Sequence, residues 1–276
     1  MTDFIRGIDV SDIQEPTLFN YHAARMEGFE FLVAKLSDGI DTDSAGSAHL
    51  LRARDAGLIC GGYHFFIPWR PVDNQLEAFK RAAALANYGR DGDMAPWLDI
   101  ESWKGKSGNH QAAPSWSQPA FELAKAIKDH FGRVLIYINQ ADYVAMGRPG
   151  WIKLADLVVA HYGVPAGQPW AQKWLIHQHK VERVEGVYSG PIDQNVAKRP
   201  LPLLNFGTPA GEVSSPTCPP AGVTGLPKKV WVVDGGEFVG AYGVKRLIVE
   251  GVYSIREDAE QAAERSGGRV HEREVQ

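Results

Sequence analysis

Short apolar runs alternate with helix-periodic segments through roughly the first 200 residues, and this alternation constrains the fold more than any other feature. Strand-like runs fall at 4–10, 29–36, 58–66, 95–101, 134–139, 157–162 and 174–179, with a shorter one at 192–196. Helical segments are expected at 17–27, 45–56, 74–88 and 118–131, the second closed by Gly57 at a C-cap position. Strands alternating with helices imply a parallel sheet. No GxGxxG follows the first strand, which favours a barrel over a dinucleotide-binding sheet. Helices become scarce after the fifth strand. The expected class is therefore α/β, an irregular TIM-like β/α barrel.

The pattern changes near residue 200. Pro200, Pro202, Pro209, Pro216, Pro219, Pro220 and Pro227 punctuate a Gly- and Ser-containing stretch that reads as a semi-rigid linker. Beyond it, 230–234 and 246–252 are strand-like, 238–242 is a short strand candidate, 256–265 a helix candidate and 269–274 a last strand. The expected organisation is a barrel over 1–203, a linker over 204–227 and a small α+β module over 228–276.

A net charge of -4 gives no basic stripe for nucleic acid or an anionic membrane. No apolar run approaches the length of a membrane span. The two cysteines, Cys60 and Cys218, make neither a metal cluster nor a disulfide framework, and no cofactor is expected. Met1-Thr2-Asp3-Phe4-Ile5-Arg6 lacks the basic-then-apolar pattern of a secretory signal.

Chemistry concentrates at the predicted strand ends. Pro96-Trp97-Leu98-Asp99-Ile100-Glu101 ends in two carboxylates two residues apart. Alternation puts both on one strand face, about 7 Å apart by Cα. Two acids sharing an apolar wall do not both ionise easily, which is the arrangement acid catalysis of glycosidic cleavage needs. In a barrel the same mouth receives Asp9 from the first strand, Tyr137 and Asn139 from the fifth, Tyr162 from the sixth, Gln178 from the seventh and Asp193 from the last. Four acids at one rim have no simple structural explanation, because each buried charge costs several kcal/mol unless paired. Tyr63 and Phe65 share a face of the third strand and are candidate groove residues with Tyr137, Tyr162 and Gln178. Trp69, Trp103 and Trp116 follow the third and fourth strands and are candidate stacking platforms.

Gly7-Ile8-Asp9-Val10-Ser11, Gly62-Tyr63-His64-Phe65, Leu98-Asp99-Ile100-Glu101 and Ile192-Asp193-Gln194-Asn195 together resemble, in order and spacing, the glycoside hydrolase family 25 lysozymes, the Chalaropsis-type muramidases that include many phage endolysins. The resemblance covers roughly residues 4 to 200. It implies an irregular β/α barrel that cuts the β-1,4 bond between N-acetylmuramic acid and N-acetylglucosamine in bacterial peptidoglycan. It matches Glu101 to the acid, and Asp9, Asp99 and Asp193 to the other rim acids. It also implies retention, with the substrate N-acetyl group as nucleophile and Asp99 orienting it. Asp9 and Asp193 would then lower the pKa of Asp99 through hydrogen bonds, and the charge of Asp99 would hold the proton on Glu101.

The chain departs from the family at Asp12-Ile13-Gln14, at Ser37-Asp38-Gly39 where Thr-Glu-Gly is commoner, and at His177-Gln178-His179 where Trp-Gln-Tyr is usual. The last change is expected to remove two rings near the mouth. Two rival readings are a metal-dependent hydrolase built on His177 and His179, and a barrel that binds glycans without cutting them. The C-terminal module is a candidate wall-binding element by analogy alone. Lack of a secretion signal suits a protein made in a host bacterium and released to the wall, or one exported by another route.

Overall fold

The computed structural model describes residues 4–105 and 108–205, and the backbone of three strands within 229–274. In the first part, β1 (Ile5–Val10), β2 (Phe29–Asp38), β3 (Asp41–Thr42), β4 (Ile59–Phe65), β5 (Trp97–Asp99), β6 (Trp103–Gly105), β7 (Gly108–His110), β8 (Leu135–Asn139), β9 (Asp156–Ala160), β10 (Ile176–Arg183) and β11 (Pro191–Ala197) accompany five α-helices. These are α1 (Tyr21–Met26), α2 (Gly46–Asp55), α3 (Val72–Leu85), α4 (Ser117–Phe131) and α5 (Gln140–Ala145).

The strands run in the order β1-β11-β10-β9-β8-β5-β4-β2, and β1 pairs with β2 to close the sheet into an eight-stranded barrel. From β1 through β10 every barrel pairing is parallel. The eighth strand departs from the parallel expectation: β11 is antiparallel to both β10 and β1. The short connection 184–190 cannot supply the dozen or more residues of a parallel crossover, so the chain turns straight back. Among the described residues no α-helix follows α5, as the sequence pattern anticipated.

Several boundaries moved for local reasons. The helix expected from residue 17 starts at Tyr21, because the Asn20 side chain accepts from Ala23 N and caps it there. The fourth strand stops at Asp99, so Glu101 lies beyond its end, although Ile100 N still donates to Tyr137 O at 3.0 Å. Strand β10 runs on to Arg183 past a register shift between Gln178 and Lys180. Helix α5, capped by Asn139, and the β6–β7 hairpin are too short to show periodicity in the sequence.

The outer core lies between sheet and helices, where Leu50, Phe79, Ala82, Leu123, Ile127 and Phe131 are buried. The inner face is tighter. Gly7 pairs with Phe31, and a Cβ added at Gly7 would sit 2.1 Å from the Phe31 ring. Gly7 and Asp9 share a strand face, so this ring forms part of the floor beneath Asp9. At the other end of the barrel, Ala95 N donates to Pro202 O and Leu204 N to Asp93 O, each at 2.8 Å, fastening the chain after β11.

The chain divides into compact units at 1–209 and 210–276. In the second, β12 (Lys229–Val239), β13 (Lys245–Tyr253) and β14 (Arg269–Glu274) form an antiparallel sheet in the order β13-β12-β14. Phe238 and Val239, expected in a separate strand, continue β12. The predicted helix at 256–265, nearly all of the predicted linker and Cys218 lie outside the described residues. No helix among the described residues is long and apolar enough to cross a membrane.

Replacing Gly7 by Ala overpacks the barrel floor. It should lower stability by about 1–3 kcal/mol in denaturant titration, the usual range for an added methyl in a filled core. Adding Phe31→Leu should recover part of that loss; an unchanged midpoint for the single variant would contradict the packing described here.

Candidate active site

The barrel mouth gathers side chains from six strands. Asp9 ends β1 and faces its register partner Asp193 on β11. Because β11 runs backwards, Asp193 reaches the mouth from the start of its strand rather than from the end. Asp99 ends β5, Tyr137 comes from β8 and Gln178 from β10. With Tyr63, Glu101, Tyr162 and Trp97 they line a cleft of about 200 Å³.

A polar network fixes this cleft. Gln178 Nε2 donates to Asp9 Oδ2 at 2.8 Å, and Asn195 Nδ2 donates to the same oxygen at 2.7 Å. The Gln178 carbonyl accepts from the Tyr137 hydroxyl at 2.8 Å and from the Tyr162 hydroxyl. Both amide ends of Gln178 are thus used within the protein, and its orientation follows from phenol donors on one side and a carboxylate on the other. Gln178 sits at the β10 bulge, a device that re-aims side chains near sites. The Tyr162 hydroxyl also lies 3.4 Å from Asp193 Oδ1.

The acids all hold protons more tightly than free carboxyls. Burial, opposed by the Asn195 and Gln178 hydrogen bonds, raises Asp9. Burial and the neighbouring charges of Glu101 and Asp9 push Asp99 well above the ordinary range. Asp193 rises to about 8, through burial and the charge of Asp9. Glu101 rises to about 7, through burial first and then the charges of Asp142 and Asp9. Two expectations are therefore corrected. Glu101 is held up by burial and by the charges of Asp142 and Asp9, while its interaction with Asp99 acts to raise Asp99. Asp9 and Asp193 do not lower Asp99: no hydrogen bond links them, and Asp99 Oδ1 is buried without a partner.

Asp142 was not singled out in the sequence. It is buried on α5 and accepts Ser102 N at 2.8 Å, the Ser102 hydroxyl, and Asn139 Nδ2 at 2.6 Å. Ser102 Oγ in turn accepts Ala112 N at 2.8 Å. One carboxylate therefore anchors both ends of the excursion that begins immediately after Glu101. Its only sequence signal is a short cap, Asn139-x-x-Asp142. Trp97 and Asn195 were more accessible to reasoning, each two residues from a rim acid and so on the same strand face.

Of the expected residues, Asp9, Asp99, Glu101, Asp193, Tyr63, Tyr137, Tyr162 and Gln178 come together. Phe65 does not line the cleft. It pairs with Asp99 at the rim and meets Trp103 edge-on at 5.2 Å. The histidines face elsewhere. His177 Nδ1 accepts Gly167 N at 3.1 Å, and its Nε2 lies 2.8 Å from His161 O, so both ring nitrogens are engaged by backbone. His64 is buried between Ser37 and Gln75, with its pKa down to about 4 through burial. These bonds disfavour the metal-dependent reading, and no group of three or more ligating side chains among the described residues is arranged for a metal ion. The exchange of Trp-Gln-Tyr for His177-Gln178-His179 falls on the face away from the cleft, so it removes no ring from it.

Residues 8–187 match the sequence profile of Glycosyl hydrolases family 25. Lysozyme M1 of Streptomyces globisporus is 28% identical over 226 residues, spanning 74% of this chain and 72% of that protein. The bacterial lysozyme from Streptomyces coelicolor superposes with a TM-score of 0.59 at 28% identity, covering 71% of this chain and 92% of its own. A family 25 glycosyl hydrolase from Bacillus anthracis shares the fold at a TM-score of 0.60 and 20% identity, over 70% of this chain and 88% of its own. The profile match spans most of the barrel and includes Asp9, Asp99 and Glu101, and the chain belongs to glycosyl hydrolases family 25 and is a glycoside hydrolase.

Proposed function

We propose that this protein is a peptidoglycan muramidase that cleaves the β-1,4 bond between N-acetylmuramic acid and N-acetylglucosamine. The observation that carries the reading is Glu101, a largely buried carboxyl held protonated to about pH 7 beside Asp99 in an open cleft. A carboxyl tuned to that range is a competent proton donor to a leaving oxygen. The lysozyme names of the 28%-identical relatives support the substrate.

Glu101 donates its proton to the glycosidic oxygen as the bond breaks. The carbonyl oxygen of the substrate acetamide attacks the anomeric carbon from the opposite face, giving a cyclic cation. Water, deprotonated by the Glu101 carboxylate, then opens it with net retention. Asp99 Oδ1, unpartnered within the protein, accepts the acetamide N–H. The acids share their protons as a coupled set, so negative charge settles on Asp99 as positive charge grows beside it. Gln178 and Tyr137 act by fixing Asp9. Tyr63 and Tyr162 are the groove residues that meet sugar, Tyr162 being 46% exposed. All four rim acids are present, which disfavours a barrel that only binds glycan. The role is bacterial cell-wall lysis, with the C-terminal unit adding a second hold on the wall; the avidity this gives suits a polymeric substrate.

Glu101→Gln should lower kcat on purified peptidoglycan by about 10²–10⁴-fold with little change in melting temperature. Mass spectrometry of borohydride-reduced wild-type products should show new reducing ends on N-acetylmuramic acid; cleaved peptides with intact sugar chains would overturn the reading.

Catalysis needs protonated Glu101, so activity should decline as pH rises through about 7. Asp142→Asn removes a like charge and should move that alkaline limb down by on the order of one unit. An Asn oxygen turned toward Ser102 N and Asn139 keeps those bonds, and its amide can donate to Ser102 Oγ. A variant with an unshifted pH profile would remove Asp142 from the account. Separately, deletion of 206–276 should weaken binding to sacculi in a pull-down; equal binding would assign that unit another role.

A further inference from the structure

A column of rings stands on the cleft rim. Trp116 is buried and packs against Phe66 and Trp103, with centroids at 6.4 and 5.8 Å. Trp103 stacks with Trp69 at 5.5 Å and 29°, and His110 lies 4.7 Å from each. Trp69 is the outermost member and is 55% exposed. The column adjoins the carboxylates along both supporting strands. Trp103 is two residues beyond Glu101, and Phe65, which meets Trp103 edge-on, pairs with Asp99. Its footing is rigid, because Ser102 ties both ends of the excursion to Asp142.

The cleft beside it is small. At about 200 Å³ it falls below the ~300–1,000 Å³ of pockets that enclose a small ligand. A polysaccharide acted on there must lie mostly on the rim. An exposed indole costs little conformational entropy on binding when it is already stacked in place. Its flat, apolar face suits the axial C–H face of a β-linked pyranose.

We propose that Trp69, supported by Trp103 and His110, is a stacking subsite for a pyranose of the glycan strand outside the cleft. Its occupant is the polymer itself, reached by continuity with the Asp99–Glu101 edge. The inference rests on the muramidase reading for the identity of that polymer, but not on the chemistry of cleavage.

The test compares the full-length protein with Trp69→Ala and Trp69→Tyr on peptide-stripped glycan strands, graded by length. Trp69→Ala should raise KM on long strands by about fivefold, the size of one aromatic stacking contact. It should leave kcat, and KM on the shortest strand turned over, unchanged. Trp69→Tyr should keep most of the long-strand KM. Equal KM for wild type and Trp69→Ala on long strands would overturn the subsite, as would an equal loss on short ones. Titration of tryptophan emission with the same strands separates this from the function itself. A spectral shift that vanishes in Trp69→Ala, without any turnover by wild type, would keep the subsite and sink the muramidase reading. Turnover without such a shift would do the reverse.

Discussion

Asp9 accepts two hydrogen bonds on one oxygen, from Gln178 on β10 and Asn195 on β11, and the architecture of the mouth depends on this pair. The bonds join three consecutive strands where the barrel changes from parallel to antiparallel. A buried carboxylate without such donors would be driven to neutrality or out of the fold. With them, Asp9 can carry negative charge inside the sheet, and that charge then acts on every acid around it. It raises Asp99, Glu101 and Asp193 together. The proton on Glu101 is thus held partly by the charge of Asp9, which comes from a different strand.

The antiparallel eighth strand has a chemical consequence. Had β11 run parallel to its neighbours, residue 193 would have entered from the opposite end of the barrel. Reversal brings Asp193 opposite Asp9 and places Asn195 on the same face, where its amide reaches Asp9. Asp193 and Asn195 serve one network because a period of two separates them. The seven-strand parallel body sets the mouth; the returning strand supplies both an acid and the donor that lets a second acid stay buried.

Much of this was legible in the sequence, for a physical reason. Carboxylates ending apolar strands are conspicuous, and Asp9, Asp99, Glu101 and Asp193 needed only a barrel to bring them together. Strand periodicity also reached Tyr63, Tyr137 and Gln178. What escaped were features set by tertiary packing. Phe65 shares a face with Tyr63, yet its ring turns to Trp103, and nothing local to 58–66 could announce that. Asp142 lies forty positions from Ser102 and acts through a six-residue helix too short to carry a hydrophobic period. The direction of β11 was implied by the brevity of 184–190, but the parallel pattern of earlier strands outweighed it.

The histidine pair on β10 shows how position on a strand decides meaning. His177 and His179 flank Gln178, and in a linear reading they look like either metal ligands or lost sugar-binding rings. Alternation puts both on the outer face, where His177 bridges Gly167 and His161 through backbone groups and packs against Trp174 at 6.1 Å. Only the central Gln178 reaches the mouth, and it is the residue this chain shares with the family pattern. Substitution outside the barrel wall therefore leaves the acids and their donors untouched. The aromatic surface beside the cleft comes instead from Trp69, after β4, and from the excursion after Glu101, where Ser102 and Asp142 hold the segment that carries Trp103. Glu101 and Trp103 share one backbone segment, so whatever fixes one fixes the other.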